Sequence, residues 1–197
     1  MGAARGSWTW AAWSPDGKTG SVIRSYGAIR SAAYPIGSEG LGRQVLPGAR
    51  RVNSGTWAAD GSLAVLTDYG REWLGVAQID PQSPEHPLRW LLNADCDIEM
   101  LVANTTGTRA AVEVNLGMYS RLAVLDLGSA ALTDDFDLIP GLVYTDMISP
   151  VHEQVAWAED DSNLFVAWHN ATQASEVYEA FTGKAVDVYR ATYSGLM

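Results

Sequence analysis

The sequence predicts an all-β protein, a partial β-propeller of about four four-stranded antiparallel blades. Three observations predict it. A turn unit, Trp13-Ser14-Pro15-Asp16-Gly17-Lys18, returns 44 residues later as Trp57-Ala58-Ala59-Asp60-Gly61-Ser62. A degraded copy, Asn104-Thr105-Thr106-Gly107-Thr108, follows 46 residues after that. Short β-branched or apolar runs lie between these turns, four to each span of about 40 residues, which is the period of a propeller blade. Gly or Pro interrupts the chain about every dozen residues, so no amphipathic helix has room to nucleate.

The turn chemistry is explicit. Pro15 has its φ fixed near the value that the second position of a type I turn needs. Asp16 tolerates the bridge region, and Gly17 takes the left-handed conformation that rejoins the ladder. The first blade spans 6–47, with strands at 7–13, 20–25, 28–34 and 43–46; Gly20 weakens its second strand. The second spans 51–92, with strands at 51–57, 62–67, 74–80 and 88–92. Pro81, Pro84 and Pro87 stop further pairing before the last of these. The third spans 97–138, with strands at 98–103, 109–115, 120–127 and a weak outer strand at 132–138. Pro140-Gly141 is a strong break, and the fourth blade spans 141–190. Its first strand is either 142–148 or 153–157. Asp160-Asp161-Ser162 replaces the usual turn, and strands follow at 163–168, 176–181 and 185–190.

Net charge excludes several partners. At −10 the chain lacks the basic surface that nucleic acid or an anionic membrane requires. The clusters Asp134-Asp135 and Glu159-Asp160-Asp161 read as solvated turns. Cys96 is alone, which rules out an intrachain disulfide and points to a small buried hydrophobe. The first 13 residues have no signal-peptide pattern, and no apolar run is long enough to span a bilayer, so the expected location is the cytoplasm. Without a secretion signal, the triplets Asn104-Thr105-Thr106 and Asn170-Ala171-Thr172 are chance matches to the glycosylation pattern.

Three stretches carry a more specific likeness. They are Gly55-Thr56-Trp57 with Asp60-Gly61, then Asp68-Tyr69-Gly70-Arg71-Glu72-Trp73, and finally Asp97-Ile98-Glu99 with Val114-Asn115 and residues 119–126. On these residues the chain resembles the amino-terminal β-propeller of the prolyl oligopeptidase family of serine peptidases, in its dipeptidyl-peptidase and acylaminoacyl-peptidase branch. The Asp-Gly turn is shared with TolB-like repeats. The resemblance implies a larger ring of seven or eight blades, of which this chain is an arc. It also implies a partner, the α/β-hydrolase domain that carries the Ser-His-Asp triad, and peptide substrates selected by propeller loops. The third turn departs from the family's pattern, having lost its Pro and Asp, and residues 149–162 fit no single register.

No chemistry of the chain's own is legible. Gly-x-Ser-x-Gly does not occur, so no triad position can be carried over. His86 lies between prolines, His152 follows Ser149-Pro150, and His169 ends an apolar strand; nothing joins them to a nucleophile. No His or Cys pair has metal-ligand spacing, and Asp134-Asp135-Phe136-Asp137 lacks the Gly and terminal Glu of a calcium loop. No catalytic residue, cofactor or metal ion is therefore expected. Arg71, Glu72, Tyr119 and Arg121 sit near blade turns and are candidate peptide contacts. The competing reading makes Arg71 and Glu72 surface charges and Tyr119 a packing residue.

The expected function is that of the non-catalytic propeller portion of such a peptidase, as a truncated gene product without its hydrolase half. The alternative is a stand-alone TolB- or WD-like scaffold for protein–protein interaction. An open arc has an energetic consequence. Each bare face of roughly 400–600 Å² forfeits about 10–15 kcal/mol of burial at about 25 cal/mol per Å². That equals the whole stability of an ordinary domain, about 5–15 kcal/mol.

Overall fold

A computed structural model describes residues 6–27, 30–83, 87–136, 141–143, 154–170, 172, 176–181 and 184–186. None of these is helical. Among the described residues, seventeen strands form four antiparallel sheets, none closed on itself. The first sheet contains β1 (Ser7–Trp13), β2 (Gly20–Gly27), β3 (Arg30–Gly37) and β4 (Gly40–Leu41). The second contains β5 (Val52–Trp57), β6 (Leu63–Thr67), β7 (Gly75–Ile79) and β8 (Leu88–Leu92). The third contains β9 (Ile98–Ala103), β10 (Arg109–Asn115), β11 (Ser120–Asp126) and β12 (Leu132–Asp135). Strands in each of these sheets lie side by side in chain order.

The fourth sheet resolves an alternative that the sequence leaves open. Both β13 (Leu142–Val143) and β14 (Val155–Trp157) pair with β15 (Leu164–His169). Leu142 and Val143 oppose His169 and Trp168, whereas Val155 to Trp157 oppose Val166 to Leu164. The first strand is thus assembled from two segments laid along one edge. β16 (Glu176–Glu179) and β17 (Lys184–Ala185) complete the sheet. Residues 144–153, 137–138 and 187–190, on which parts of the expected strands fall, lie outside the described residues.

The first blade differs at its outer edge. Its fourth strand is Gly40–Leu41, not 43–46. Gly40 takes φ +95°, which lets the chain reverse over Ser38-Glu39 so that Gly37 and Ile36 meet Gly40 and Leu41 at once. Val45 retains a single bridge, to Ala33.

The turns explain the repeat. The amides of Gly17, Gly61, Gly107 and Asp161 donate to the carbonyls of Ser14, Ala58, Asn104 and Ala158 at 2.8–3.1 Å. All four donors have positive φ, +69°, +82°, +69° and +58°. The third turn has lost its Pro and Asp yet keeps this backbone. In the fourth turn Asp161 occupies the left-handed position that glycine holds in the others, a conformation Asp tolerates better than most residues.

Three apolar layers separate the four sheets. Ile23 and Ala33 of the first sheet pack on Trp57, Leu63 and Val65 of the second. Leu66 and Val76 on the opposite face pack on Ile98, Val112 and Leu125 of the third. Met100, Leu122 and Val124 then meet Val155, Leu164 and Val166 of the fourth. Both faces of the second and third sheets are consequently covered, which is why β6 and β7 are buried at every position.

Candidate functional site

In each sheet the first and second strands join at one end of the arc, and the second and third join at the other. The Asp-Gly turns occupy the first end. The connections 68–74 and 116–119 occupy the second, so Arg71, Glu72 and Tyr119 share one end of the molecule, with Arg121 at the start of β11 beside them.

A charged latch organises this end. Asp68 is buried between β6 and its following turn and accepts the Arg51 amide at 2.9 Å and the Arg51 Nε at 3.0 Å. Arg50 Nε lies 3.4 Å from the same carboxylate. Arg51 Nη2 reaches 3.7 Å from Asp97 Oδ1, which also accepts the Leu74 amide at 2.6 Å. The second sheet is so tied to the start of the third. Asp97, singled out for its likeness to one blade of the peptidases, fastens the strand that follows it.

Arg71 is fixed by this frame. Its guanidinium lies 5.0 Å from the Trp90 ring centroid, and Nη2 donates to the Ala94 carbonyl. Glu72 offers its backbone carbonyl to Arg51 Nη2 at 3.4 Å. Tyr69, Arg71, Glu72, Trp73, Trp90 and Asp95 line an open cleft of about 400 Å³. Tyr69 and Trp73 are exposed there. Tyr119 belongs to a separate hairpin, closed by the Leu116 amide on the Tyr119 carbonyl at 2.9 Å. Met118 at its tip is 96 % exposed. Arg71 and Glu72 therefore come together on one cleft, while Tyr119 and Arg121 stand on the neighbouring hairpin.

A second concavity runs along the inner side of the arc. β1, β5 and β9 are each the terminal strand of their sheets, and they line a groove of about 320 Å³. Thr9, Asn53, Ser54, Glu99 and Leu101 contribute to its wall. Ser54 Oγ reaches the Leu101 carbonyl at 3.4 Å, and Glu99 accepts Asn115 Nδ2 at 2.8 Å. A groove with exposed strand edges and few fixed charges suits an extended chain better than a small charged molecule.

Two carboxylates were not legible as functional groups. Asp161 accepts four hydrogen bonds from the third turn: Asn104 Nδ2 at 3.0 Å, the Thr105 and Thr106 amides at 2.8 and 3.1 Å, and Thr106 Oγ1 at 2.8 Å. Burial pushes its pKa up, but these donors outweigh burial and hold it below the ordinary value. The third turn thus receives from the next sheet the carboxylate it lacks. The signal was present in the sequence: an Asp where the repeat expects Gly. Glu113 is buried between the third and fourth sheets and accepts the Val143 amide at 3.2 Å. Burial raises its pKa; the Val143 amide and Ser120 hydroxyl oppose the rise, and Glu99 adds to it.

Cys96 is half-buried, and burial with Asp97 and Asp95 nearby raises its pKa, which makes it a poor nucleophile. His169 ends β15, whereas His86 and His152 lie outside the described residues. Among the described residues no group of three His, Cys, Asp or Glu side chains is placed to hold a metal. The described residues contain no helix long and apolar enough to cross a membrane.

No family model and no curated protein matches the chain. Solved structures do. Puromycin hydrolase matches with a TM-score of 0.61 and 18 % identity, over 91 % of this chain and 28 % of that one. Prolyl oligopeptidase B from Galerina marginata matches with a TM-score of 0.65 and 12 % identity, over 91 % and 26 %. TolB from Acinetobacter baumannii matches with a TM-score of 0.60 and 12 % identity, over 91 % and 43 %. The chain spans between about a quarter and under half of the length of these proteins. At such identities the likeness is one of fold: four sheets arranged as in the propeller regions of prolyl oligopeptidases and in TolB.

Proposed function

We propose that the chain is the non-catalytic propeller portion of a prolyl-oligopeptidase-type serine peptidase, divided into blades at 6–47, 51–92, 97–138 and 141–190. In this reading it works in the cytoplasm, gating and selecting peptide substrates for an α/β-hydrolase domain. The groove along β1, β5 and β9 carries the proposal, because it offers an extended peptide a path bounded by strand edges. Arg71 and Glu72, held on the end cleft, are the contacts that would discriminate among peptides. The chain alone supplies no nucleophile to this arrangement. Incubated with peptide-nitroanilide or acylaminoacyl substrates, it gives no turnover. Hydrolysis blocked by a serine-reactive fluorophosphonate would overturn the proposal.

A second reading makes the chain a TolB-like scaffold. The exposed tips Met118, Leu116, Tyr69 and Trp73 at one end of the arc favour it, since loop ends that bind nothing are seldom so apolar. Labelled peptides separate the two. Binding lost on Ser54→Trp, which fills the groove, supports the peptidase reading; binding of peptides indifferent to that change supports the scaffold.

A further inference from the structure

The end cleft lies between two walls that the fold holds in place. One wall is the 68–74 turn, where the Arg71 amide donates to the Asp68 carbonyl at 3.1 Å and the Tyr69 amide to Thr67 Oγ1 at 3.2 Å. The other is the 93–97 connection between β8 and β9. Leu74 joins the two: its amide donates to Asp97 Oδ1, and its carbonyl accepts the Ile98 amide at 3.0 Å. Both faces of the second sheet are covered, so this cleft does not depend on the open ends of the arc.

Its lining groups are unevenly satisfied. Arg71 is engaged on all sides: its plane lies over Trp90, Nη2 donates to the Ala94 carbonyl, and Nη1 is buried beside Gly75. A guanidinium turned inward in this way is not disposed to meet an entering anion. Glu72 and Asp95 are the reverse. Both are exposed, and among the described residues neither carboxylate has an ion pair or a hydrogen-bond donor. Asp68 and Asp97, at the same end, are both held by Arg51. Two aromatic rings stand beside the unpaired carboxylates. Tyr69 rests against Gly48, where an added Cβ would lie 3.2 Å from the ring, and is still 41 % exposed. Trp73 is 39 % exposed.

This combination suits a planar cation. Aromatic faces attract cations, Trp most strongly, and a guanidinium is more weakly hydrated than an ammonium and stacks flat on a ring. Its edge can meanwhile donate to carboxylates in charge-assisted hydrogen bonds. Arg71 on Trp90 already makes the stacked half of that arrangement within the cleft. The net charge of −10 adds a long-range attraction for a basic ligand.

We infer that the cleft takes the arginine side chain of a peptide, with the guanidinium against Trp73 and Tyr69 and its N–H groups on Glu72 and Asp95. The inference deepens the proposed peptide selection and rests on it for the peptide as ligand class; it makes that selection one for arginine.

Proton–nitrogen NMR of the tryptophan indoles in the full chain tests it, the Trp73 signal being assigned by its loss in Trp73→Phe. The probes are Gly-Gly-Arg-Gly-Gly, acetylated and amidated so that the guanidinium is its one charge, and the same peptide carrying neutral citrulline instead. The arginine peptide should shift the Trp73 signal saturably and bind at least about fivefold more tightly than the citrulline peptide. Glu72→Gln with Asp95→Asn should abolish that preference. Glu39→Gln with Glu159→Gln removes as much charge from the opposite end of the arc and should preserve it. All four positions are exposed, and far-UV circular dichroism checks that each variant is folded. Equal affinity for the two peptides, an unmoved Trp73 signal up to about 10 mM peptide, or equal loss of preference in the two double variants overturns the inference. None of these results touches the peptidase reading, which falls instead on hydrolysis by the chain alone.

Discussion

Removing the Asp161 carboxylate should loosen the fourth sheet from the third. Its four acceptor contacts reach one buried donor, Asn104 Nδ2, and three donors of the exposed residues Thr105 and Thr106. Water can replace the carboxylate at the exposed donors, so each of those contributes about 0.5–1 kcal/mol. The buried amide keeps Thr106 and Thr108 as partners and loses about 1 kcal/mol. Asp161→Gly, which suits the φ of +58°, should therefore cost about 3 kcal/mol. Asp161→Ala should cost about 1 kcal/mol more, from the left-handed backbone. Urea unfolding followed by tryptophan fluorescence measures both differences. The sign with pH is fixed as well. A carboxylate whose folded pKa is depressed stabilises above its unfolded value and loses that contribution as pH falls, so the gap between wild type and Asp161→Gly should close in acid. A glycine variant within 0.5 kcal/mol of wild type at neutral pH, or a gap that widens in acid, would refute this role for the Asp161 carboxylate.

Glu113 should behave oppositely: its raised pKa means the folded chain holds the proton more tightly, so stability falls as pH climbs through and above the ordinary glutamate range. Glu113→Gln should flatten that slope in a pH series of urea midpoints. Gly75→Ala should destabilise by about 1–3 kcal/mol, because a Cβ there meets Arg71 Nη1 and comes 2.7 Å from the Leu92 carbonyl oxygen. Thermal melting reads this, and pairing it with Arg71→Ala should recover part of the loss. Asp68→Ala should cost about 2–4 kcal/mol by leaving the Arg51 amide and guanidinium without their buried acceptor. Met118→Ser, at a fully exposed tip, should change stability by less than about 0.5 kcal/mol in the same measurement.

Local chemistry carried much of the fold. Pro15-Asp16-Gly17 and Asp60-Gly61 specify a tight turn whatever surrounds them, and the alternation on either side specifies strands; several strands of the first three sheets lie where these signals put them. Edges were less legible. The outer strand of the first sheet depends on Gly40 reversing the chain early, and a glycine announces permission to turn without saying when. The sequence nominated both 142–148 and 153–157 for the first strand of the fourth sheet, and what it could not show is that segments of each pair with the same strand, β15.

For the site, the sequence nominated Arg71 and Glu72 from their place beside a turn, and tertiary structure gave them a cleft with Trp90 as its wall. The sequence by itself determined the repeating unit, the all-β class and the absence of a nucleophile elbow, since each is written in neighbouring residues. Only the tertiary structure decided that Asp161 completes a turn 55 residues earlier, that Arg51 joins Asp68 to Asp97, and that Trp13 stands bare where Trp57 is covered. Those facts depend on which sheet face meets which, and facing is set by packing between segments far apart in the chain.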